Sequence, residues 1–105
     1  MTDKRIVFTT AGSKEEAQKI AHALVELKLA ACVNIVPQVE SVYRWQGKVD
    51  VTEEWLLIIK TTVQRFDAVR DAIKELHSYE LPECVAIAVE GGSEKYLDWI
   101  EESVR

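Results

Sequence analysis

The sequence predicts an α+β fold in which helices cover a four-stranded antiparallel sheet, with the element order βαββαβ and one further helix at the end. Three observations support this prediction. The stretch from Cys32 to Thr61 is rich in β-branched and aromatic residues, with turn residues only near its middle and at Pro37, which is typical of a long β-hairpin. Apolar residues at helical spacing precede and follow the hairpin. Short apolar runs before and after these helices supply two more strands, so residues 1–105 are predicted to form one domain.

The first strand and the first helix have clear boundaries. Ile6 to Thr10 is an apolar run that ends at Ala11-Gly12. Ser13 stands three residues before Glu16, which is the spacing of a capping box at a helix start. The helix is predicted to continue to about Lys28 because apolar residues recur at helical spacing: Ala17, Ile20, Ala21, Leu24, Val25 and Leu27.

The hairpin is longer than a compact domain of this size. Its arms, Val33–Trp45 and Lys48–Lys60, would each span roughly 40 Å, whereas a compact chain of this length has a diameter of about 34 Å. Leu56 and Ile58 add apolar groups to the second face of the second arm, so that end is predicted to be buried on both sides. Trp45 at the tip has little to pack on locally, which an intersubunit contact or a lid over a ligand would explain. These features predict an oligomer.

The pairing register of the hairpin follows from its side chains. In both arms the main apolar residues occupy odd positions and should share one face. A two-residue loop at Gln46-Gly47 would pair odd with even positions and place Val39 beside Glu54. We therefore expect a three-residue loop or a compensating bulge. Pro37 cannot donate to a ladder, which indicates an edge strand or a bulge at that position.

The remainder of the chain completes the predicted fold. Thr61 or Thr62 is expected to cap a second helix, followed by a loop from His77 to Glu83 and a fourth strand from Cys84 to Val89. Gly91-Gly92-Ser93 introduces the last helix. This order is the ferredoxin-like split βαβ arrangement. The two helices carry apolar stripes formed by Phe66, Val69, Ile73 and Leu76, and by Leu97, Ile100 and Val104.

Composition excludes several classes of partner. The formal net charge of −5 provides no basic surface for nucleic acid or anionic lipid. The N-terminal residues contain no apolar leader core, and no apolar run approaches the roughly 20 residues that span a bilayer. We therefore expect a cytoplasmic protein with no membrane partner. Cys32 and Cys84 do not suggest a disulfide scaffold and are expected to be reduced thiols.

Candidate chemical groups are few, and no enzyme signature motif is present. His77 follows the second helix and is either a surface histidine at a helix end or a ligand, whereas His22 is expected to be solvated. Cys32 is either a buried structural thiol or, with His77, a ligand for a soft metal such as copper or zinc. Lys60 either extends to solvent or pairs with an acid. Tyr79 and Glu83 are either a packed aromatic and a surface acid or parts of a polar cleft above Lys60.

Five segments of the sequence carry a pattern that covers nearly the whole chain. They are Ala30–Ile35, Tyr43–Lys48, Ile59–Thr62, His77–Glu83 and Tyr96–Ile100. Their residues, order and spacing resemble the CutA family of divalent-cation tolerance proteins.

This resemblance implies a ferredoxin-like homotrimer, related in architecture to the PII signalling proteins, whose long hairpins interlock between subunits. It also implies binding of copper or other divalent cations and a role in metal tolerance. Thr9 and Leu76 stand where some bacterial relatives have a cysteine and a second histidine, so His77 alone would remain of that ligand set. The residues that the resemblance assigns to an intersubunit cleft are Cys32, Trp45, Lys60, His77, Tyr79, Pro82 and Glu83.

The leading functional hypothesis is therefore a trimeric, non-enzymatic protein that binds a divalent cation, copper or zinc, with no organic cofactor and with His77 and Cys32 as metal ligands. The alternative is a PII-like regulatory module that binds a small anionic metabolite between subunits, which Lys60 favours. An enzyme that uses His77, Tyr79 and Glu83 for acid-base chemistry is a third reading. An RNA-binding module of the same fold is disfavoured because residues 53–57 lack the glycine and paired aromatics of a base-stacking platform.

Overall fold

The computed structural model describes all 105 residues, Met1–Arg105. Its four strands form one sheet in the order β2-β3-β1-β4, and every neighbouring pair is antiparallel. The predicted α+β, ferredoxin-like fold is therefore confirmed. The elements are β1 Lys4–Ala11, α1 Lys14–Glu26, β2 Cys32–Trp45, β3 Lys48–Thr62, α2 Phe66–Leu76, β4 Val85–Ala88 and α3 Glu94–Ser103, with a 3-10 turn at Val63–Arg65.

The helix starts show which local signals operate. The Ser13 hydroxyl accepts the N–H of Glu16 at 3.1 Å, which confirms the predicted cap of α1. The predicted cap of α2 is wrong, because β3 continues through Thr62 before the 3-10 turn. The Thr61 hydroxyl instead donates to the carbonyl oxygen of Leu29 at 2.6 Å, and Thr62 makes no side-chain cap bond.

The main core lies between one face of the sheet and helices α1 and α2. It is formed by fully buried residues that alternate along the strands, with residues on the inner faces of both helices. Helix α3 contacts the opposite face, where its Glu101 accepts from Lys4 Nζ at 3.4 Å and Lys60 Nζ lies 5.8 Å from the Tyr96 ring centroid. The core residues are Val7, Leu57 and Ile59 of the sheet and Ile20, Leu24, Val69 and Ile73 of the helices.

A tight turn and a bulge set the register of the hairpin. Trp45 pairs with Lys48 across a two-residue loop in which Gln46 and Gly47 have φ of 51° and 80°, as a type I′ turn requires. The three-residue loop does not form, whereas the compensating bulge is confirmed between Val36 and Val39. Gln38 has a φ of 60° within it.

The bulge divides the hairpin into two halves. We call residues 32–36 with 56–60 the body half, and residues 39–45 with 48–54 the tip half. In the body half Val33 pairs with Ile59 and Ile35 with Leu57, so the prediction of a shared apolar face is confirmed there. It is wrong in the tip half, where Val39 pairs with Glu54, because one extra residue reverses the alternation. β2 is also an edge strand, as Pro37 indicated.

The tip half extends beyond the helices. The molecule measures 44 × 25 × 23 Å, in line with the predicted overhang. Val42, Val49 and Val51 are 60, 61 and 61% exposed. The helices are all too short or too polar to cross a lipid bilayer.

Candidate functional site

A cleft of about 600 Å³ lies between the tip half of the hairpin and the loop that follows α2. We call it the acidic cleft. The hairpin forms one wall and the loop forms the other, with Thr10 of β1 and Glu54 of β3 between them. Its lining consists of Thr10, Ser41, Val42, Tyr43, Trp45, Glu54, Tyr79, Glu80, Leu81 and Glu83.

His77 fixes the start of the loop to the end of β1. Its side chain is fully buried, and Nε2 lies 2.6 Å from the carbonyl oxygen of Thr10. The backbone N–H of Tyr79 donates to Nδ1 at 3.1 Å, so Nδ1 accepts and Nε2 is the nitrogen that donates. Both ring nitrogens are therefore engaged, and the imidazole connects the backbone of β1 to the backbone of the loop.

Glu16 holds the next residue of the loop. Its carboxylate accepts the Ser78 N–H at 2.6 Å and the Ser78 hydroxyl at 2.8 Å. The sequence pattern assigned Glu16 to a capping box, in which its side chain would return to the backbone of Ser13. The carboxylate instead spans from α1 to the loop, and its two strong charge-assisted bonds order the wall of the acidic cleft.

Tyr79 connects this wall to the hairpin. Its hydroxyl donates to Glu54 Oε2 at 2.7 Å, and its ring lies 4.5 Å from the His77 ring, centroid to centroid. Burial, followed by the hydrogen bond and charge of Glu54, raises the pKa of Tyr79, so the hydroxyl remains a donor at neutral pH. A Cβ at Gly12 would lie 2.9 Å from the Tyr79 hydroxyl oxygen, which explains the glycine at this close approach.

All charged side chains that line the acidic cleft are acidic. Glu54, Glu80 and Glu83 line it, and its lining contains no Lys, Arg or His. The carboxylates do not converge on one point, since the chain contains no group of three His, Cys, Asp or Glu residues that could hold a metal ion. The cleft therefore attracts cations without presenting a preformed metal centre.

The structure brings together only part of the predicted site. Trp45, Tyr79 and Glu83 line the acidic cleft, whereas Lys60 and Pro82 do not. Lys60 lies under the Tyr96 ring and forms no ion pair with an acid, so the predicted polar cleft above Lys60 does not form within one subunit.

The predicted metal ligands are also separated within one subunit. Cys32 pairs with Lys60 at one end of the body half, whereas His77 binds Thr10, which pairs with Leu56, four residues away along β3. The interpretation of His77 as a surface histidine is wrong because its ring is packed between β1 and the loop. Metal binding by His77 and Cys32 stays a prediction. The engaged ring nitrogens argue against a shared site inside one chain. His22 is exposed, as expected.

Sequence reasoning missed most of the cleft. Glu54 is its most informative residue, because it is a buried acid that directly precedes the apolar run 55–59 of β3. Its place next to that apolar run was the available sequence signal, because an acid expected to be buried needs a hydrogen-bond or ionic partner. The other lining residues that the sequence did not single out are Thr10, Ser41, Val42, Tyr43, Glu80 and Leu81.

Comparison with known proteins agrees with this fold and with the order of the segments described above. The family model described as CutA1 divalent ion tolerance protein matches residues 5–103. A divalent-cation tolerance protein CutA from Thermus thermophilus is 48% identical over 100 residues, which are 95% of this chain and 97% of the relative. One from Archaeoglobus fulgidus is 47% identical over 98 residues, covering 93% of this chain and 95% of the relative.

Solved structures agree as well. The crystal structure of CutA from Xylella fastidiosa matches with a TM-score of 0.97 and 38% identity, covering 99% of this chain and 100% of that one. The family match over nearly the whole sequence, the two relatives and this structural agreement together show that the chain belongs to the CutA1 divalent ion tolerance protein family.

Proposed function

We propose that this chain is a non-enzymatic, homotrimeric protein that binds divalent cations of the copper or zinc type in the acidic cleft and acts in metal tolerance. The observation that carries the proposal is a cleft with Glu54, Glu80 and Glu83 in its lining and no basic side chain. Such a site raises the local concentration of cations. The family's name supplies the divalent ion.

The trimer is part of the proposal because one subunit offers an incomplete metal site. Copper and zinc prefer nitrogen and sulfur ligands, but both nitrogens of His77 are engaged and Cys32 lies apart from it. We propose that a neighbouring subunit completes the coordination. Apolar residues on the sheet face opposite to α1 and α2, among them Val85 and Ile87 of β4, are exposed, which is consistent with subunit contacts.

Calorimetric titration tests the binding proposal. Cu²⁺, Zn²⁺ and Mg²⁺ are titrated into the intact protein and into the variants Glu54→Gln and Glu53→Gln. Both variants lose one negative charge, but Glu53 faces away from the cleft. We expect Glu54→Gln to weaken ion binding about tenfold and Glu53→Gln to leave it within about twofold. An absence of heat for every ion would reject the metal proposal.

Light scattering tests the assembly separately. We expect a mass of three times the 11.9 kDa of the chain at micromolar concentration, whereas a monomeric mass would reject the trimer.

The PII-like alternative has less support. Lys60, which favoured an anionic metabolite, lies outside the acidic cleft, and three carboxylates there would repel an anion. A thermal-shift screen with nucleotides and other anionic metabolites tests it, and we expect no shift.

A further inference from the structure

We propose that Glu16 of α1 is a positioning residue for the ion site, because it fixes the wall of the acidic cleft that each subunit contributes. The residue acts through the loop that follows α2 and does not itself line the cleft. The inference rests on the ion binding proposed above. It concerns contacts within one chain, so it applies to every subunit of the trimer.

The loop after α2 has no backbone support of its own. Residues 78–83 lie outside the helices and strands and make no backbone–backbone hydrogen bond. Their hydrogen bonds all involve side chains: those of Ser78 with Glu16, and those of Tyr79 with His77 and Glu54. A segment without backbone hydrogen bonds opens easily, so its position depends on the side chains that hold it.

Glu16 is the best placed of these side chains to hold the loop. Its carboxylate accepts both the N–H and the hydroxyl of Ser78, at 2.6 and 2.8 Å, and hydrogen bonds to a charged acceptor are the stronger ones. The next residue of α1, Ala17, is fully buried in the main core, and Ser13 caps the helix. The carboxylate therefore projects from a rigid element, which is what precise positioning requires.

Tyr79 transmits this position to the acids of the cleft. It follows Ser78 directly, and its hydroxyl donates to Glu54 Oε2 at 2.7 Å. A carboxylate that accepts one hydrogen bond keeps further lone pairs for an ion. Groups that orient a metal-binding carboxylate without touching the metal typically change its affinity by about 10- to 100-fold when they are removed. The contact between Glu16 and the loop should therefore set the affinity for the ion.

The same coupling operates in the reverse direction. A contact that strengthens ion binding by some factor is itself strengthened by the bound ion to the same extent. We therefore expect Zn²⁺ to slow hydrogen exchange at the Ser78 N–H, which donates to Glu16. A merely structural role of Glu16 would leave that exchange rate unchanged by the ion.

The test is calorimetric titration of the intact protein and four variants with Zn²⁺. Glu16→Ala removes both hydrogen bonds to Ser78, whereas Glu16→Gln keeps an uncharged acceptor in their place. Glu15→Ala is the matched control, because Glu15 is exposed and lies in the same first turn of α1, where either acid complements the helix dipole. Ser13→Ala removes the helix cap but leaves the loop contacts in place, so it controls for the stability of α1.

We expect Glu16→Ala to weaken Zn²⁺ binding about tenfold and Glu16→Gln about threefold. Glu15→Ala should change the affinity less than about twofold, since an exposed charge is screened by salt. Ser13→Ala should also leave it within about twofold, although this variant unfolds at a lower denaturant concentration. A loss for Glu16→Ala that equals the loss for either control would overturn the proposal.

Amide hydrogen exchange separates this proposal from the ion-binding proposal. If the wild type binds Zn²⁺ but the ion does not slow exchange at Ser78, the positioning role is overturned while ion binding stands. If no ion gives heat with the wild type, ion binding fails, and exchange in the variants decides whether Glu16 fixes the cleft wall. Faster exchange at Ser78 and Tyr79 in Glu16→Ala, but not in Glu15→Ala, supports that role, and unchanged exchange overturns it.

Discussion

The two halves of the hairpin are both rich in β-branched residues but differ in their surroundings. In the body half Leu57 and Ile59 are fully buried under α1 and α2. In the tip half Val49 and Val51 continue the same odd-numbered set along β3, yet they are largely exposed because no helix reaches them. β-branched composition therefore specifies the strand, while the elements packed against the strand decide its burial.

The bulge between the halves builds the acidic cleft. Because of it, the face that carries Glu54 in the tip half also carries Tyr43 and Trp45, and the Tyr43 hydroxyl lies 2.8 Å from that of Thr52. Without the extra residue these aromatics would lie on the other face of the hairpin. The bulge in β2 thus separates the packed segment of the hairpin from the segment that lines the acidic cleft.

Truncating one apolar side chain in each half should give the largest difference. We expect Leu57→Ala to lower the free energy of unfolding by about 3 kcal/mol, because it leaves a cavity in the core, and Val51→Ala to lower it by less than about 0.5 kcal/mol. Val7 is fully buried and pairs with Ile59. Val7→Ala is therefore the control that makes the same valine-to-alanine change as Val51→Ala at a buried position. Denaturant unfolding measures all three. Equal losses for Val7→Ala and Val51→Ala would contradict the contrast between the halves, and a concentration-dependent loss at Val51 would place the tip half in an interface.

Tyr79→Phe tests how the tip half is held to the loop. Removing the hydroxyl leaves buried Glu54 without its donor, so we expect a loss of about 2 kcal/mol near neutral pH. The folded-state pKa of Tyr79 is raised by burial and by Glu54, whereas an unfolded tyrosine ionises near about pH 10. The hydroxyl's contribution is therefore full below about pH 10 and is lost as the pH rises above that value.

Unfolding free energies of the wild type and of Tyr79→Phe at about pH 8 and about pH 11 measure this contribution. The difference between the two proteins should shrink at the higher pH. A difference that stays constant with pH would show that the hydroxyl contributes through packing alone.

The fold could be predicted from the sequence because its signals are local. Helical spacing, the cap at Ser13 and the turn at Gln46-Gly47 each depend on neighbouring residues. The need for a bulge followed from the odd-numbered positions of the apolar residues in both arms of the hairpin. These signals defined all four strands and three helices, although several ends differ by a few residues. The prediction that Thr61 or Thr62 caps α2 was wrong because pairing with β1 extends β3 through both residues.

The acidic cleft depends on contacts that no local pattern contains. His77 binds a carbonyl 67 residues earlier, and Tyr79 binds an acid 25 residues earlier. His77 also follows a helix, where a surface position is the common outcome, so its burial could be seen only from the loop packed around it. Trp45, Tyr79 and Glu83 were singled out from their positions at the hairpin tip and in the loop as well as from the family resemblance, whereas Glu54 required the register beyond the bulge.

The bulge itself is tested by Gln38, whose φ of 60° is unfavourable for most side chains. Gln38→Val places a β-branched residue in this conformation and should lower the free energy of unfolding by about 1 to 2 kcal/mol. Gln38→Gly accepts the same φ and should change it by less than about 1 kcal/mol. Denaturant unfolding distinguishes them, and equal effects would indicate that the bulge moves to another residue.

The smallest effect concerns two buried threonine hydroxyls next to the body half, at Thr9 and Thr61. Thr9 pairs with Leu57 and is fully buried, and its hydroxyl is the buried side-chain polar group without a hydrogen-bond partner. Thr9→Val keeps the shape and removes the unsatisfied hydroxyl, so we expect a gain of about 1 kcal/mol in the free energy of unfolding. Thr61 is equally buried, but its hydroxyl donates to the Leu29 carbonyl. Thr61→Val should therefore lose about 1 kcal/mol. Unfolding measurements on this pair should give opposite signs, and a loss at both positions would mean that the Thr9 hydroxyl has a partner in solution.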